Sequence, residues 1–209
     1  SFCFDSPFEK RLNMKFIIVN ISRFLVGLLF VFSGVIKMND PVGFSFKLEE
    51  YFGEDVLNLP FLQPFALGFA VFIVIYEVIL GVTLILGIWK RITLVSLAGM
   101  MGFFTFLTFY SAYYEKVTDC GCFGDAIPLE PWESFGKDVI LSVLIAILVF
   151  GRNHIQPFLS ARLNRLVLSI GIFVSVGFSY HVLQHLPVWD FRAFKPGTNV
   201  SDALKSAED

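Results

Sequence analysis

The sequence predicts an all-α, polytopic membrane protein: a four-helix bundle in the bilayer plus a fifth transmembrane helix, with the N terminus cytoplasmic. Three observations carry this. Of the 209 residues 56% are hydrophobic and only 16% charged, against about 25% charged in soluble globular chains. The apolar residues gather in five long stretches, and the basic residues segregate onto alternate connections between them. Backbone groups find no water in hydrocarbon, so each stretch is expected to be helical. With a formal net charge of -2 and no basic block, the composition excludes nucleic-acid binding and makes the lipid bilayer the first partner.

Residues 1–16 read as a cytoplasmic N-terminal extension, with Met14-Lys15-Phe16 resembling a natural start and no role for Cys3. The main membrane domain is expected over residues 17–150. Its first span, Ile17 to Ile36, is too long for the apolar core of a signal peptide and lacks a small-x-small cleavage site. Residues 37–64 form an extracytoplasmic segment that sets Phe44, Phe46, Leu48, Tyr51 and Phe52 among acids. That mixture suits a short interfacial helix on the outer leaflet or, equally, an irregular loop packed on the bundle. The second span is Phe65 to Ile88 and the third Ile92 to Tyr113; residues 114–131 make a cysteine loop. The fourth span, Trp132 to Phe150, opens with polar turns. The fifth transmembrane helix covers residues 166–186, and an extracytoplasmic tail covers 187–209. A hydrocarbon core of about 30 Å needs roughly 20 helical residues. The second, third and fifth stretches meet that easily; charges enter the ends of the first and fourth. Small residues (Gly27 and Gly34, Gly81, Gly99 and Gly102, then Gly171, Ser175 and Ser179) offer faces for close helix contact.

Orientation follows from charge. The connections at the N-terminal side carry nine basic residues, Arg23 included, and two acids, a net of +7; the opposite connections net -8. Excess Lys and Arg stay in the cytoplasm. The cysteine loop and the C terminus are therefore expected outside, which in a bacterium is the periplasmic side of the inner membrane. Oxidised thiols persist there.

Glu77 is the carboxylate left within a span. Near mid-bilayer an ionised carboxylate needs a partner and marks a functional candidate. Depth arithmetic at 1.5 Å per residue places Arg23 about 21 Å and Glu77 about 18 Å from the outer surface. An Arg23–Glu77 ion pair is expected, with Lys37 too shallow to compete. The pair reads either as a lock between helices or as a contact for a proton or a quinone headgroup; a third reading has Arg23 snorkelling to the cytoplasm over a protonated Glu77.

The loop Asp119-Cys120-Gly121-Cys122-Phe123-Gly124-Asp125 carries the strongest chemistry. Two thiols one residue apart can close a small strained disulfide, and strained disulfides exchange readily. The flanking acids disfavour the thiolate. Redox-active and structural disulfides both fit Cys120 and Cys122. A metal site is the rival: His181 and His185 share a helix face on the same side of the membrane, and two Cys with two His complete a tetrahedral zinc set. His154 reads as solvated. Phe103, Phe104, Phe106, Phe109 and Tyr110 read as lipid-facing or packing residues.

The run Arg23-Phe24-Leu25-Val26-Gly27 through Phe32-Ser33-Gly34-Val35-Ile36-Lys37 resembles the first-helix pattern of DoxX-type membrane proteins. Glu77-x-x-x-Gly81-x-x-Leu84-x-x-Gly87 resembles their second-helix pattern, and Asp119-Cys120-Gly121-Cys122-Phe123-Gly124 is similar to the cysteine loop of the MauE branch. The resemblance covers about residues 23–150. The tail His185-Leu186-Pro187 with Lys195-Pro196-Gly197 resembles a longer subgroup found in Bacteroidetes-type bacteria, which continues into a thioredoxin-like extracytoplasmic region. MauE-like proteins are implicated in disulfide formation during maturation of a periplasmic enzyme. DoxX and DoxD relatives are linked to quinone reduction or serve as accessory subunits. The resemblance thus implies thiol–disulfide exchange at Cys120 and Cys122 with a periplasmic thioredoxin-fold partner and a membrane quinone. A non-catalytic accessory subunit of a larger membrane complex, and metal handling, stand as the alternatives.

Overall fold

The structure is a computed structural model that describes residues 14–53, 56–114, 130–185 and 187–189. Every regular element among them is helical: α1 (Met14–Asn39), α2 (Pro41–Phe52), a 3-10 turn (Pro60–Phe65) leading into α3 (Ala66–Leu86), α4 (Lys90–Tyr114), α5 (Pro131–Phe150), a short 3-10 turn (Arg152–His154) and α6 (Ala161–Gln184). Four of these are long and apolar enough to cross a membrane: Met14–Asn39, Pro60–Leu86, Lys90–Tyr114 and Ala161–Gln184. The 20-residue α5 carries Glu133, Lys137 and Asp138 in its first half, and its crossing is taken up below.

Local sequence explains the boundaries. Asp40 caps α2 by accepting the Gly43 N–H at 2.8 Å, and Pro41 follows at the first helical position, where a missing N–H costs nothing. Pro131 opens α5 in the same way. Ser160 caps α6 through the Leu163 N–H. Gly87 ends α3 in the left-handed conformation, φ 69°, and its N–H returns to Thr83 and Leu84.

Helices α1, α3, α4 and α5 close a ring in which α1 meets α3, α3 meets α4, α4 meets α5, and α5 meets α1. Helix α6 lies outside, against α3 and α1. The α1–α3 contact is the closest. Gly27 sits against Gly81 and Ile85, and Gly34 against Val78 and Val74, at spacings that a Cβ would violate. Ser175 and Ser179 of α6 are buried. A Cβ at Gly99, Gly102 or Gly171, in contrast, would meet nothing within 4 Å among the described residues.

Within segment 37–64, Pro41–Phe52 forms a helix that packs on the bundle. Phe44, Leu48 and Phe52 of α2 are buried together with Ala66, Ala70, Val74 and Val78 of α3. Val42 and Phe46 of the same helix stay exposed, and α2 covers one end of the bundle.

The helix order leaves two unlike ends. Lys15, Lys90, Arg91, Arg152, Arg162 and Arg165 gather at one, the basic end, where the Lys90 ammonium donates to the Ile155 carbonyl. The α1–α2 corner, the end of α4, the start of α5 and the end of α6 make the other, the acidic end.

Candidate functional site

Glu77 is not paired with Arg23. The glycine contacts fix the register of α1 on α3, and that register brings Arg23 to the last turn of α3. There its guanidinium donates to the carbonyls of Leu84 at 2.9 Å, Ile85 at 2.5 Å and, across the bundle, Gln156 at 2.9 Å. These acceptors lie about eight residues, roughly 12 Å of helix, beyond Glu77. The last carbonyls of a helix have no partner of their own and carry its negative pole. Arg23 supplies charge and donors to Leu84 and Ile85, while the Phe158 N–H bonds Leu86. Arg23 is thus a helix cap, not a counter-ion.

The partner of Glu77 is Lys37. The ammonium lies 2.5 Å from Glu77 Oε2, with both side chains almost wholly enclosed (4% and 7% exposed). Surface depth does not keep them apart, for two reasons. The outer ends of α1 and α3 are not level, and a lysine side chain spans the rest. Helix α2 then closes over the top. The ammonium rests between two aromatic rings, 5.4 Å from the Phe44 centroid and 5.2 Å from that of Phe104. Ring faces attract a desolvated cation. Helices α1, α2, α3 and α4 each contribute one wall.

A second buried carboxylate stands nearby on α5. Asp138 is 1% exposed. Its Oδ2 accepts from the Thr108 hydroxyl at 3.1 Å, and its Oδ1 lies 2.9 Å from the Lys137 ammonium. One helical turn further along α4, the Ser111 hydroxyl bonds Tyr51 Oη at 3.2 Å. Ser134 of α5 is buried in the same region. Phe104, Thr108 and Ser111 recur at three- and four-residue spacing, so they share a face of α4. That face runs from the Lys37–Glu77 pair to the acidic end, over about 10 Å of helix.

Sequence reasoning missed Lys37 as the partner and missed Asp138, Thr108, Ser111 and Tyr51 altogether. Asp138 was legible as a charge inside the fourth apolar stretch, but beside Lys137 it reads as a polar helix start. No periodicity in the sequence pairs Tyr51 with Ser111, 60 residues apart.

Cys120 and Cys122 fall in the connection between α4 and α5, outside the described residues. His181 and His185 stack with centroids 4.5 Å apart, and His185 Nδ1 lies 3.0 Å from the His181 carbonyl oxygen. Among the described residues no three His, Cys, Asp or Glu side chains gather as a metal site. An apolar groove between the start of α3 and Leu183 is lined by Leu62, Pro64, Phe65, Phe69 and Phe72.

Residues 15–151 match the family described as methylamine utilisation protein MauE. The chain is also 29% identical over 133 residues to Protein TlpB of Flavobacterium psychrophilum, a match covering 61% of this chain and 35% of TlpB. The chain therefore spans about a third of that relative's length. No solved structure matches. With a family match running from α1 to the end of α5, on a ring of helices built for a membrane, the chain belongs to the MauE family.

Proposed function

We propose that this MauE-family protein is a thiol–disulfide redox protein of the bacterial inner membrane. Cys120 and Cys122 exchange electrons with a thioredoxin-fold partner on the periplasmic side, and a membrane quinone is the electron sink. One observation carries the reading. The Cys-Gly-Cys connection is hung between α4 and α5, the two helices that hold the buried hydroxyls of Thr108 and Ser111 and the carboxylate of Asp138. These polar groups lie near the two helix ends that this connection joins.

The electron balance is simple. A thiolate of the reduced partner attacks the Cys120–Cys122 disulfide, forming a mixed disulfide and releasing the other cysteine as a thiolate; the partner's second thiol resolves it, leaving the partner oxidised and Cys120 and Cys122 reduced. The two thiols then rejoin as one Sγ–Sγ bond with loss of two electrons and two protons. A quinone takes up both pairs to become a quinol.

The topology that goes with this reading puts the basic end in the cytoplasm and takes α5 across the membrane as the fifth span. Helix α5 runs antiparallel to α4 and ends at Phe150, next to the connection whose Gln156 carbonyl Arg23 holds. Burial of Asp138 against Thr108 reduces the cost of its polar first turns in lipid.

The test is reconstitution of the oxidised protein in quinone-containing vesicles, with a reduced thioredoxin as electron donor. Quinol is expected to form with the unmodified chain and not with Cys120→Ser or Cys122→Ser. Wild-type rates in both variants would refute the proposal.

A further inference from the structure

We infer that the basic end binds the headgroup phosphate of an anionic lipid, at a site formed by Lys90 and Arg91 at the start of α4 and Arg152 just past the end of α5. The site is independent of Cys120 and Cys122.

Hydrogen bonds join the two helix ends. The Lys90 ammonium donates to the Ile155 carbonyl at 3.3 Å, and the Ile155 N–H returns to the Arg152 carbonyl at 3.3 Å. The three cations therefore belong to one junction. All three residues are exposed. Arg91 and Arg152 form no ion pair among the described residues. Every carboxylate among the described residues lies elsewhere: on α2 or its cap, inside α3, or on the first half of α5 or its cap. Counting Asp5 and Glu9 as well, the connections on this side still net +7.

The cations also sit where the helix itself disfavours them. The first turn of a helix has free N–H groups and carries its positive pole, so acids are favoured there and cations are not. Helix α4 has no acid in its first turn and begins with Lys90 and Arg91. Orientation in the membrane depends on how many cations a connection holds. It does not require that they crowd a helix start, so topology does not account for this placement. A bound anion does: the side-chain charges and the free N–H groups of α4 then serve one negative group.

The surroundings select the kind of anion. Trp89, directly before Lys90, is 65% exposed; Ile92, directly after Arg91, is 67% exposed; Phe150, two residues before Arg152, is 89% exposed. Exposed aromatic residues beside cations mark the level of lipid headgroups. An occupant with a negative head at the cations and apolar chains beside Ile92 and Phe150 has the chemistry of an anionic phospholipid, the usual partner of basic clusters at a membrane surface. A free phosphate would use the cations and leave the apolar rim idle.

The experiment is native mass spectrometry of the full chain released from vesicles of phosphatidylglycerol and phosphatidylcholine in equal amounts with identical acyl chains. Retained phosphatidylglycerol is expected to exceed retained phosphatidylcholine. Arg91→Gln combined with Arg152→Gln should lower that preference by roughly thirty-fold, the worth of two cations at a lipid surface. Arg91→Lys combined with Arg152→Lys, which keeps both charges, should preserve it. Arg162→Gln combined with Arg165→Gln removes two cations from the start of α6, and Lys47→Gln removes one from α2; both should leave it unchanged. Circular dichroism checks that each variant is folded. Equal retention of the two lipids by the unmodified chain overturns the site. An equal loss in the Arg162 and Arg165 variant overturns it too, since the effect would then be one of diffuse charge. Displacement of the lipid by excess inorganic phosphate overturns the lipid assignment in favour of a free anion.

Discussion

Two buried cations at opposite ends of α1 do different work, and each makes its own prediction. Arg23 satisfies the Ile85 carbonyl at the end of α3 and adds a charged donor to that of Leu84, which also accepts from the Gly87 N–H. Charged hydrogen bonds contribute about 1.5–3 kcal/mol each, and orphaned buried acceptors cost about 1–3 kcal/mol. Arg23→Met is therefore expected to destabilise the protein by at least about 3 kcal/mol, seen as a lower thermal midpoint in detergent. Lys37 instead neutralises a carboxylate. Breaking a buried pair from one side typically costs about 3–5 kcal/mol, because a lone charge remains. Lys37→Met should show that loss, and Lys37→Met combined with Glu77→Gln should recover much of it; a double variant no more stable than the single would argue against the pair. The sequence exposed Glu77 as a group in need of a partner, but not which cation it finds. Depth counted from helix ends assumes that the ends are level, and here glycine contacts set the register instead.

At the scale of elements, all five long helices and their order were legible, because a bilayer imposes length and apolarity directly on the sequence. What α2 packs against was not: an amphipathic face reads the same whether lipid or protein covers it. The glycines divide in a way that sequence does not reveal. Gly27 and Gly81 meet across α1 and α3, whereas Gly99 and Gly102 have nothing within reach of a Cβ. Gly81→Leu is expected to disrupt the bundle, while Gly99→Ala should be neutral or stabilising by up to about 1 kcal/mol through helix propensity. Thermal unfolding of the two variants separates them. Gly87→Ala combines a left-handed backbone with a Cβ placed 2.6 Å from Arg23 Nη2. It should lower stability by more than the roughly 1 kcal/mol of backbone strain alone, and a loss no larger than that would contradict the Arg23 cap.

For the whole molecule, charge segregation and helix pairing are independent observations that agree on two ends of opposite character. Cysteines introduced at Gln156 and at Val188, in a chain lacking native cysteines, should be labelled by an impermeant reagent from opposite sides of the membrane, Val188 from the periplasm. Labelling of both from one side would remove the α6 crossing, and labelling of Gln156 from the periplasm with Val188 from the cytoplasm would remove that of α5. The cysteine motif itself was legible in the sequence; the buried row at the ends of α4 and α5 was not, since it joins residues of α2, α4 and α5. The central claim is that Cys120 and Cys122 cycle between dithiol and disulfide. Mass-shift alkylation of the chain in native membranes, before and after a reductant, tests it most directly. We expect both thiols blocked before reductant, both labelled after it, and both blocked again when an oxidised quinone is supplied. Two thiols that label fully without reductant and stay free with quinone would contradict it.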